Sequence, residues 1–311
     1  MISGQDIARA SEVLRQGGLV AFPTETVYGL GADATQDEAV ASIYAAKGRP
    51  QFNPLIAHVP DQAAAERLGD FPQAARDLAA AFWPGPLTIV VNRLPSCPVS
   101  LLASAGLPSI ALRVPSHPVA QDLLRAFGRP VVAPSANRSG RISPTTADHV
   151  RHSIGQGVAM ILDGGRTQVG VESTVVSFLD DQPRLLRPGG VSRQQIEAII
   201  GAKLAAAEAG PLHAPGQLES HYAPRAALRL GVTTPDSNEV YVGFGPHHHG
   251  PYSLSPEGNL QQAAANLFRL LHEIDAAGAE RIAVAPIPDD GLGEAINDRL
   301  RRAAAARPQA S

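Results

Sequence analysis

The sequence predicts an α/β protein: a large domain built on a mixed sheet, followed by a second, smaller α/β unit. Three observations lead there. Along the first 200 residues, short apolar runs of strand length alternate with segments of helical periodicity. The pattern lapses over Leu204-Ala-Ala-Ala-Glu-Ala-Gly-Pro-Leu-His-Ala-Pro-Gly216 and then resumes. The chain has 311 residues, 44% of them apolar and 18% charged, which is enough to bury a sizeable core.

Taken in order, residues 3–20 read as a helix running into a strand. Ser3 and Asp6 have capping-box spacing, Ile7, Ala10, Val13 and Leu14 share one face, and Gly17-Gly18 stops the helix. Leu19–Phe22 is then a short buried strand ended by Pro23. Thr35 and Glu38 have the spacing of a second capping box, for a helix through Ala46, and Leu55–Val59 reads as the next strand. Further helices are expected at 72–82, 117–127 and 192–200, and strands at 87–91, 109–113, 131–133, 160–162, 173–178 and 184–186. Past the lapse, strands near 227–231, 239–243 and 282–286 with helices near 260–276 and 293–305 make the small unit. The expected division is 1–203, a linker over 204–226, and 227–311. The Ala/Arg-rich end from Arg301 to Arg307 reads as a helix end fraying into a disordered tail.

Composition excludes several functions. A net charge of -3 is a poor match to a protein living on duplex nucleic acid. A single cysteine, Cys97, excludes an internal disulfide and a cysteine-cluster metal site. No apolar run approaches a membrane span and the amino terminus lacks the build of a signal peptide, so a soluble cytoplasmic protein is expected. Only two of the 26 basic residues are lysine, Lys47 and Lys203, against a strong preference for arginine.

Familiar catalytic signatures are missing. Neither lysine is followed by Ser or Thr, as a Walker A loop requires, and there is no Gly-x-Ser-x-Gly or His-Glu-x-x-His. Gly29-Leu-Gly31-Ala-Asp-Ala34 matches a dinucleotide fingerprint by letter but begins seven residues after the strand ends, and reads as turn geometry. His247-His248-His249, between glycines and prolines, reads as a solvated loop. What remains is polar residues at strand ends. Pro23–Gly29 is either a binding loop or a Thr-rich turn bonding its own backbone. Lys47-Gly-Arg49 is either a favourable pairing with a helix C-terminus or an anion clamp. Ala133-Pro-Ser135-Ala-Asn137, Gly170-Val-Glu-Ser173-Thr174 and Leu186-Arg187-Pro-Gly189 end strands in the same way. Residues 101–150 carry five Arg, Arg113, Arg138 and Arg141 among them, against two acids. Cations and hydroxyls at turns, without a nucleophile or metal cluster, suit an anionic ligand such as a nucleotide polyphosphate.

At these residues a resemblance appears. Gly18-Leu-Val-Ala-Phe-Pro-Thr-Glu-Thr-Val-Tyr-Gly-Leu-Gly31, Lys47-Gly-Arg49 with Asn53-Pro-Leu55, and Pro134-Ser-Ala-Asn137 resemble the YrdC-like family. Pro215-Gly216, His221-Tyr222-Ala-Pro224 and the trailing unit resemble its longer two-domain form. The resemblance implies an open, twisted mixed sheet around a cation-lined concave site. It also implies synthesis of L-threonylcarbamoyladenylate and pyrophosphate from L-threonine, bicarbonate and ATP, with Mg²⁺ carried by the ATP phosphates and no metal site of the protein's own. The product would serve threonylcarbamoyl modification of tRNA adenosine 37, by hand-off to a tRNA threonylcarbamoyl transferase complex. By the same resemblance Lys47, Arg49, Ser135 and Asn137 form a central tetrad around the phosphates. Thr26, His58, Arg113, the Ala133 backbone and Ser173 form the threonine pocket, with Arg113 on the amino acid carboxylate. Arg49, Asn53, Ser109, Ser135, Ser143, Arg187 and Tyr222 contact the nucleotide, and Tyr222, in the linker, can act as a lid. Two other readings compete: a nucleic-acid-binding module without turnover, and a carbamoyl-transfer enzyme with another acceptor. Against the first, residues 1–200 hold 17 cations and 17 acids, and aromatics are only 5% of the chain.

Overall fold

The structure, a computed structural model, describes residues 2–206 and 221–305. Its larger sheet runs in the order Ala205–Ala206, Arg184–Arg187, Thr174–Ser177, Leu87–Arg93, Ser109–Arg113, Ile56–His58, Val131–Val132, Tyr28–Asp33, Val20–Pro23, Met160–Ile161, and Gly69–Asp70 pairs with Leu87–Arg93 off this path. It is mixed: Ile56–His58 lies parallel to Ser109–Arg113 and antiparallel to Val131–Val132. A second, four-stranded sheet orders Ala227–Arg229, Arg281–Val284, Val240–Gly243 and Tyr252–Ser253, all parallel.

Period-two alternation decides what each face carries. Ala57, Ile110, Leu112 and Val132 point into the main core, beneath the helices Asp37–Lys47 and Gln73–Phe82. Near the other end of the sheet Val20, Phe22, Val131 and Ala133 pack under the helices Gly4–Arg15 and Pro118–Phe127. In the middle, the face opposite the main core has only the small cluster Ile56, Val90, Ala111, Val175 and Leu186 beneath it. His58 follows Ile56 on that face, and Ser109 and Arg113 flank Ala111. His58 and Arg113 are register partners across adjacent strands.

Local chemistry explains most boundaries. The Ser3–Asp6 capping box forms as the spacing predicts, and the other predicted helices and strands appear within a few residues of their expected ends. Two expectations fail. Residues 29–34 are not a turn: Tyr28–Asp33 is a wholly buried strand antiparallel to Val20–Pro23. Its glycines serve close packing, since a Cβ on Gly31 would stand 2.7 Å from the Phe22 ring. The Thr35–Glu38 box does not form, because the Thr35 amide and hydroxyl both donate to Asp33 Oδ1 and the helix cap passes to Gln36 without a side-chain bond. The helix Ala147–Ile154, capped by Thr146, was not foreseen. Of the expected linker, residues 207–220, Pro215 and Gly216 among them, lie outside the described residues, as does Arg307 in the tail. His247 and His249 are exposed. Among the described residues no helix is long and apolar enough to cross a membrane.

The two sheets are held against each other. Arg193 pairs with Glu294 at 2.7 Å, Arg166 donates to the Ala265 carbonyl, and His149 stacks on His272 with ring centroids 3.8 Å apart. At Gly170, with φ +76°, a Cβ would meet the Ala264 carbonyl oxygen at 2.4 Å. Gly170→Ala is therefore expected to cost about 2 kcal/mol or more by strain and overpacking at the domain contact, measured as a lower denaturant midpoint of the full chain.

Candidate active site

The helix Asp37–Lys47 ends in a left-handed Gly48 (φ 58°), and this turn sends Lys47 and Arg49 in different directions. Lys47, 3% exposed, donates its ammonium to the carbonyls of Ser135 and Asn137. Burial, with Arg49 nearby, pushes its pKa well below the ordinary lysine value. Arg49 folds over the next loop, with Nε to the Asn53 carbonyl at 3.2 Å and Nη2 to the Pro54 carbonyl at 3.0 Å; burial brings it down to about 10. Neither cation is a solvated helix-end charge, so the clamp reading gains the geometric support. Lys203, by contrast, is exposed and pairs with Glu197.

The strand-end loops converge on these groups. The Thr24 hydroxyl donates to the Val27 carbonyl and accepts from the amides of Thr26 and Val27, so the Thr-rich turn does bond its own backbone. It also presents Thr26 Oγ1 to Arg113 Nη2 at 3.0 Å. Asn137 donates to the carbonyls of Arg138 and Arg141, shaping the loop that Lys47 anchors. Ser173 meets Thr88 Oγ1 at 2.8 Å and accepts from Arg187 Nη2 at 3.1 Å. His58 lies against the Ile56 carbonyl at 3.2 Å. Burial, reinforced by Arg113, pushes it down to about 3, so it is a neutral imidazole at physiological pH.

Arg49, His58, Arg113, Ala133, Ser135, Ser173, Arg187 and Tyr222 line one cavity, together with Val27, Ile56, Pro134, Glu172 and His221. Its volume is about 40 Å³, room for a water or two and far short of a nucleotide. Thr26, Lys47, Asn53, Asn137 and Ser143 are buried but do not line it. Ser109 lines a separate narrow space with Pro54 and Leu55. It sits four residues from Arg113 on the same strand face, about 13 Å at strand rise. Arg138 and Arg141 are exposed and line a different cleft, of about 770 Å³, with Arg269 and His272 of the second domain. A cleft of about 540 Å³ near Val59 and Arg129 contains none of the predicted site residues.

Three residues here were not singled out from the sequence. Glu25 Oε1 accepts from Arg113 Nη2 at 2.7 Å and its Oε2 from the Ser116 amide at 3.0 Å, so one end of the Arg113 fork is already engaged. Glu172 accepts from Ser143 Oγ at 2.5 Å and from Arg299 Nε at 2.8 Å. Burial raises the Glu172 carboxyl, but Arg299 and Arg187 outweigh it and hold the group down at about 2. Arg299 comes from the last helix, Leu292–Ala304. The only sequence signal for the two acids is an acidic residue inside each strand-end motif, and Arg299 has none. Tyr222, with φ 65°, holds a conformation that non-glycine residues rarely adopt. Both amide atoms of Asn53, Asn137 Oδ1 and His221 Nδ1 are buried without a protein partner. Asn53 and Asn137 supply the carbonyls that hold Arg49 and Lys47, so their unpaired side-chain atoms beside these cations fit a polar ligand.

Arg49, Arg113 and Arg187 against Glu172 leave the cavity net cationic, with Lys47 and the Arg113–Glu25 pair beside it. Such a site can orient anions and stabilise charge.

Comparison with known proteins agrees. The family model Sua5_yciO_yrdC, described as "Telomere recombination", matches residues 12–189. The model described as "Threonylcarbamoyl-AMP synthase, C-terminal domain" matches residues 191–305. A threonylcarbamoyl-AMP synthase of Bacillus subtilis (strain 168) is 42% identical over 97% of this chain and 93% of its own. One of Pyrococcus abyssi is 39% identical over 96% of this chain and 94% of its own. A crystal structure of P. abyssi Sua5 complexed with L-threonine superposes with a TM-score of 0.89 at 36% identity, covering 98% of this chain and 95% of that one. With the two family models spanning nearly all of its described residues, the chain belongs to the threonylcarbamoyl-AMP synthases, in the two-domain form of the YrdC-like family.

Proposed function

We propose that the concave face catalyses formation of L-threonylcarbamoyladenylate and pyrophosphate from L-threonine, bicarbonate and ATP. The observation that carries this reading is the convergence of Arg49, Arg113 and Arg187 on one cavity, with Lys47 held on the Asn137 carbonyl, Arg49 on the Asn53 carbonyl, and the side-chain polar atoms of Asn53 and Asn137 Oδ1 left unpartnered. In this reading threonine lies over the His58–Arg113 register pair, its carboxylate on the Arg113 edge that Glu25 leaves free. Thr26, the Ala133 backbone and Ser173 close the pocket. The α- and β-phosphates lie against Lys47, Arg49, Ser135 and Asn137, and the nucleoside extends toward Asn53, Ser109, Ser143, Arg187 and Tyr222.

The chemistry needs little more than placement. The threonine amine adds to the carbon of bicarbonate-derived CO₂ and loses a proton, giving a carbamate. A carbamate oxygen then attacks the α-phosphorus, the bond to the bridging oxygen breaks, and pyrophosphate leaves with the electron pair. The cations offset the charge that builds on the leaving group, and holding carbamate and phosphorus in line supplies most of the rate. Mg²⁺ suits this set: it prefers hard oxygen ligands and binds largely through substrate phosphates, and the buried Asn137 Oδ1 and the Ser135 hydroxyl are oxygens of that kind. It would supply charge neutralisation on the triphosphate. Admission of a nucleotide to a 40 Å³ space needs one wall to move, and the strained Tyr222, joining the two domains, is the wall best suited to it. The mixed anhydride is labile, which favours direct hand-off to an acyl-transfer enzyme; family membership points to tRNA adenosine 37 as the acceptor.

In a mixture of the full chain with L-threonine, bicarbonate, ATP and Mg²⁺, pyrophosphate release is expected to depend on threonine, with the adenylate detected by mass spectrometry; threonine-independent release would remove the substrate assignment. Lys47→Ala is expected to lower kcat by about 100-fold or more in a protein that still unfolds cooperatively, and near-normal turnover would remove Lys47 from the site. Glu25→Gln frees the Arg113 fork, so the KM for threonine should rise about tenfold with the KM for ATP little changed in steady-state assays. Because His58 is held down to about 3, its contribution to stability is complete above about pH 6.5 and is lost as pH falls toward 3. Denaturant unfolding between pH 7 and 4 should therefore show a shallower fall in stability for His58→Asn than for the native chain, by up to about 1.4 kcal/mol per pH unit.

A further inference from the structure

We propose that Arg299, carried by the last helix of the second domain, is a positioning residue for the nucleotide half of the site. The inference rests on the functional reading above for the identity of the nucleotide contacts, and on geometry for everything else.

Arg299 is 1% exposed although it belongs to the far domain. Its Nε donates to Glu172 Oε2 at 2.8 Å, and the other oxygen of that carboxylate accepts from Ser143 Oγ at 2.5 Å. Glu172 is thus a rigid two-sided acceptor between the domain interface and a proposed nucleotide contact. Nη1 donates to the Pro188 carbonyl at 2.9 Å, next to Arg187, and to Asp298 Oδ2 on its own helix at 2.7 Å. The turn after Arg187 lies hard against the Glu172–Ser173 backbone, for a Cβ on Gly189 would stand 2.4 Å from the Glu172 carbonyl oxygen. The guanidinium also lies 5.3 Å from the centre of the Tyr222 ring, within range of a cation–π contact. One side chain therefore fixes three proposed nucleotide contacts: Ser143 through Glu172, Arg187 through the Pro188 carbonyl, and Tyr222 through its ring. The second domain reaches Ser143 a second time, since His272 Nε2 lies 3.1 Å from the Ser143 carbonyl.

A surface anchor would not need this construction. Arg193–Glu294 already joins the domains at the periphery, whereas burying Arg299 and Glu172 together carries a desolvation cost that peripheral pairing avoids. The contacts point to order in the cavity wall: Arg299 itself touches no proposed threonine contact and reaches that side only at second hand, through Arg187 on Ser173, whereas Arg113 there is held by Glu25 and Thr26.

The test uses the full chain with Arg299→Met, Arg299→Lys and the double variant Arg299→Met/Glu172→Gln. It reads KM for ATP and for threonine by pyrophosphate release, ATP affinity by calorimetry, and the denaturant midpoint. Arg299→Met is expected to raise the KM and Kd for ATP at least tenfold while the KM for threonine moves less than about threefold. Arg299→Lys, which keeps the charge but cannot donate to Glu172 and Pro188 together, should fall between. The double variant removes the orphaned buried carboxylate, so its midpoint should recover toward that of the native chain while its weak ATP affinity persists. Recovery of ATP affinity along with stability, or an equal loss for threonine, would overturn the proposal. If the native chain released no threonine-dependent pyrophosphate, the functional reading would fail, and the calorimetric comparison would still decide the role of Arg299.

Discussion

More positive charge is buried around the cavity than the neighbouring carboxylates neutralise, and much of the structure follows from that imbalance. Lys47, Arg49, Arg113, Arg187 and Arg299 are all under 9% exposed, and the carboxylates among them are Glu25 and Glu172, with Asp298 beside Arg299. Taking a charge out of water costs several kcal/mol unless partners replace the solvent. The chain meets that cost with backbone carbonyls: those of Ser135 and Asn137 for Lys47, Asn53 and Pro54 for Arg49, and Ser173 for Arg187. These bonds hold the ammonium and guanidinium groups in place, but carbonyl dipoles do not cancel a full charge. An anionic ligand does, so the same arrangement suits a polyphosphate and a carboxylate.

The carboxylates are distributed by function. Glu25 holds one end of the Arg113 fork and receives the Ser116 amide, which fixes the guanidinium beside His58. Glu172 sits on the other side and spends its two oxygens on Ser143 and Arg299. Each acid thus holds a different part of the site, Glu25 through Arg113 and Glu172 through Ser143 and Arg299. The second domain braces the wall from behind, through Arg299 on Glu172, His272 on the Ser143 carbonyl, and Phe268 tilted against Tyr222 with ring centroids 5.4 Å apart. Its own sheet and helices form a core that also takes in Val27, Ile142 and Val171 of the larger domain and Tyr222. The domain therefore acts on the site both through a few buried polar groups and through this shared apolar packing.

Much of this was legible from the residues. Capping at Ser3, apolar periodicity in the helices Pro118–Phe127 and Leu260–Ala276, and the alternation of strand and helix follow local rules that the surroundings do not override. The polar strand ends announced a site because such loops carry groups that a core does not need. The failures share one cause. Tyr28–Asp33 contains two glycines selected by contact with Phe22 and Ala133, and that contact is invisible in a local window. Thr35 was diverted by Asp33, a competing acceptor two residues away. Glu25, Glu172 and Arg299 matter through partners 88 and 127 positions distant, so a local window shows no more than that the two acids sit inside strand-end motifs.

The account stands or falls on where two small molecules lie relative to each other. A crystal structure of the full chain with L-threonine, bicarbonate and a non-hydrolysable ATP analogue measures this directly. The account predicts the amino acid carboxylate on Arg113, the phosphates between Lys47 and Asn137, and a carbamate oxygen about 3–3.5 Å from the α-phosphorus and in line with its leaving oxygen. Nucleotide bound instead in the cleft of Arg138 and Arg141, or threonine and α-phosphate separated by the width of the cavity, would contradict it.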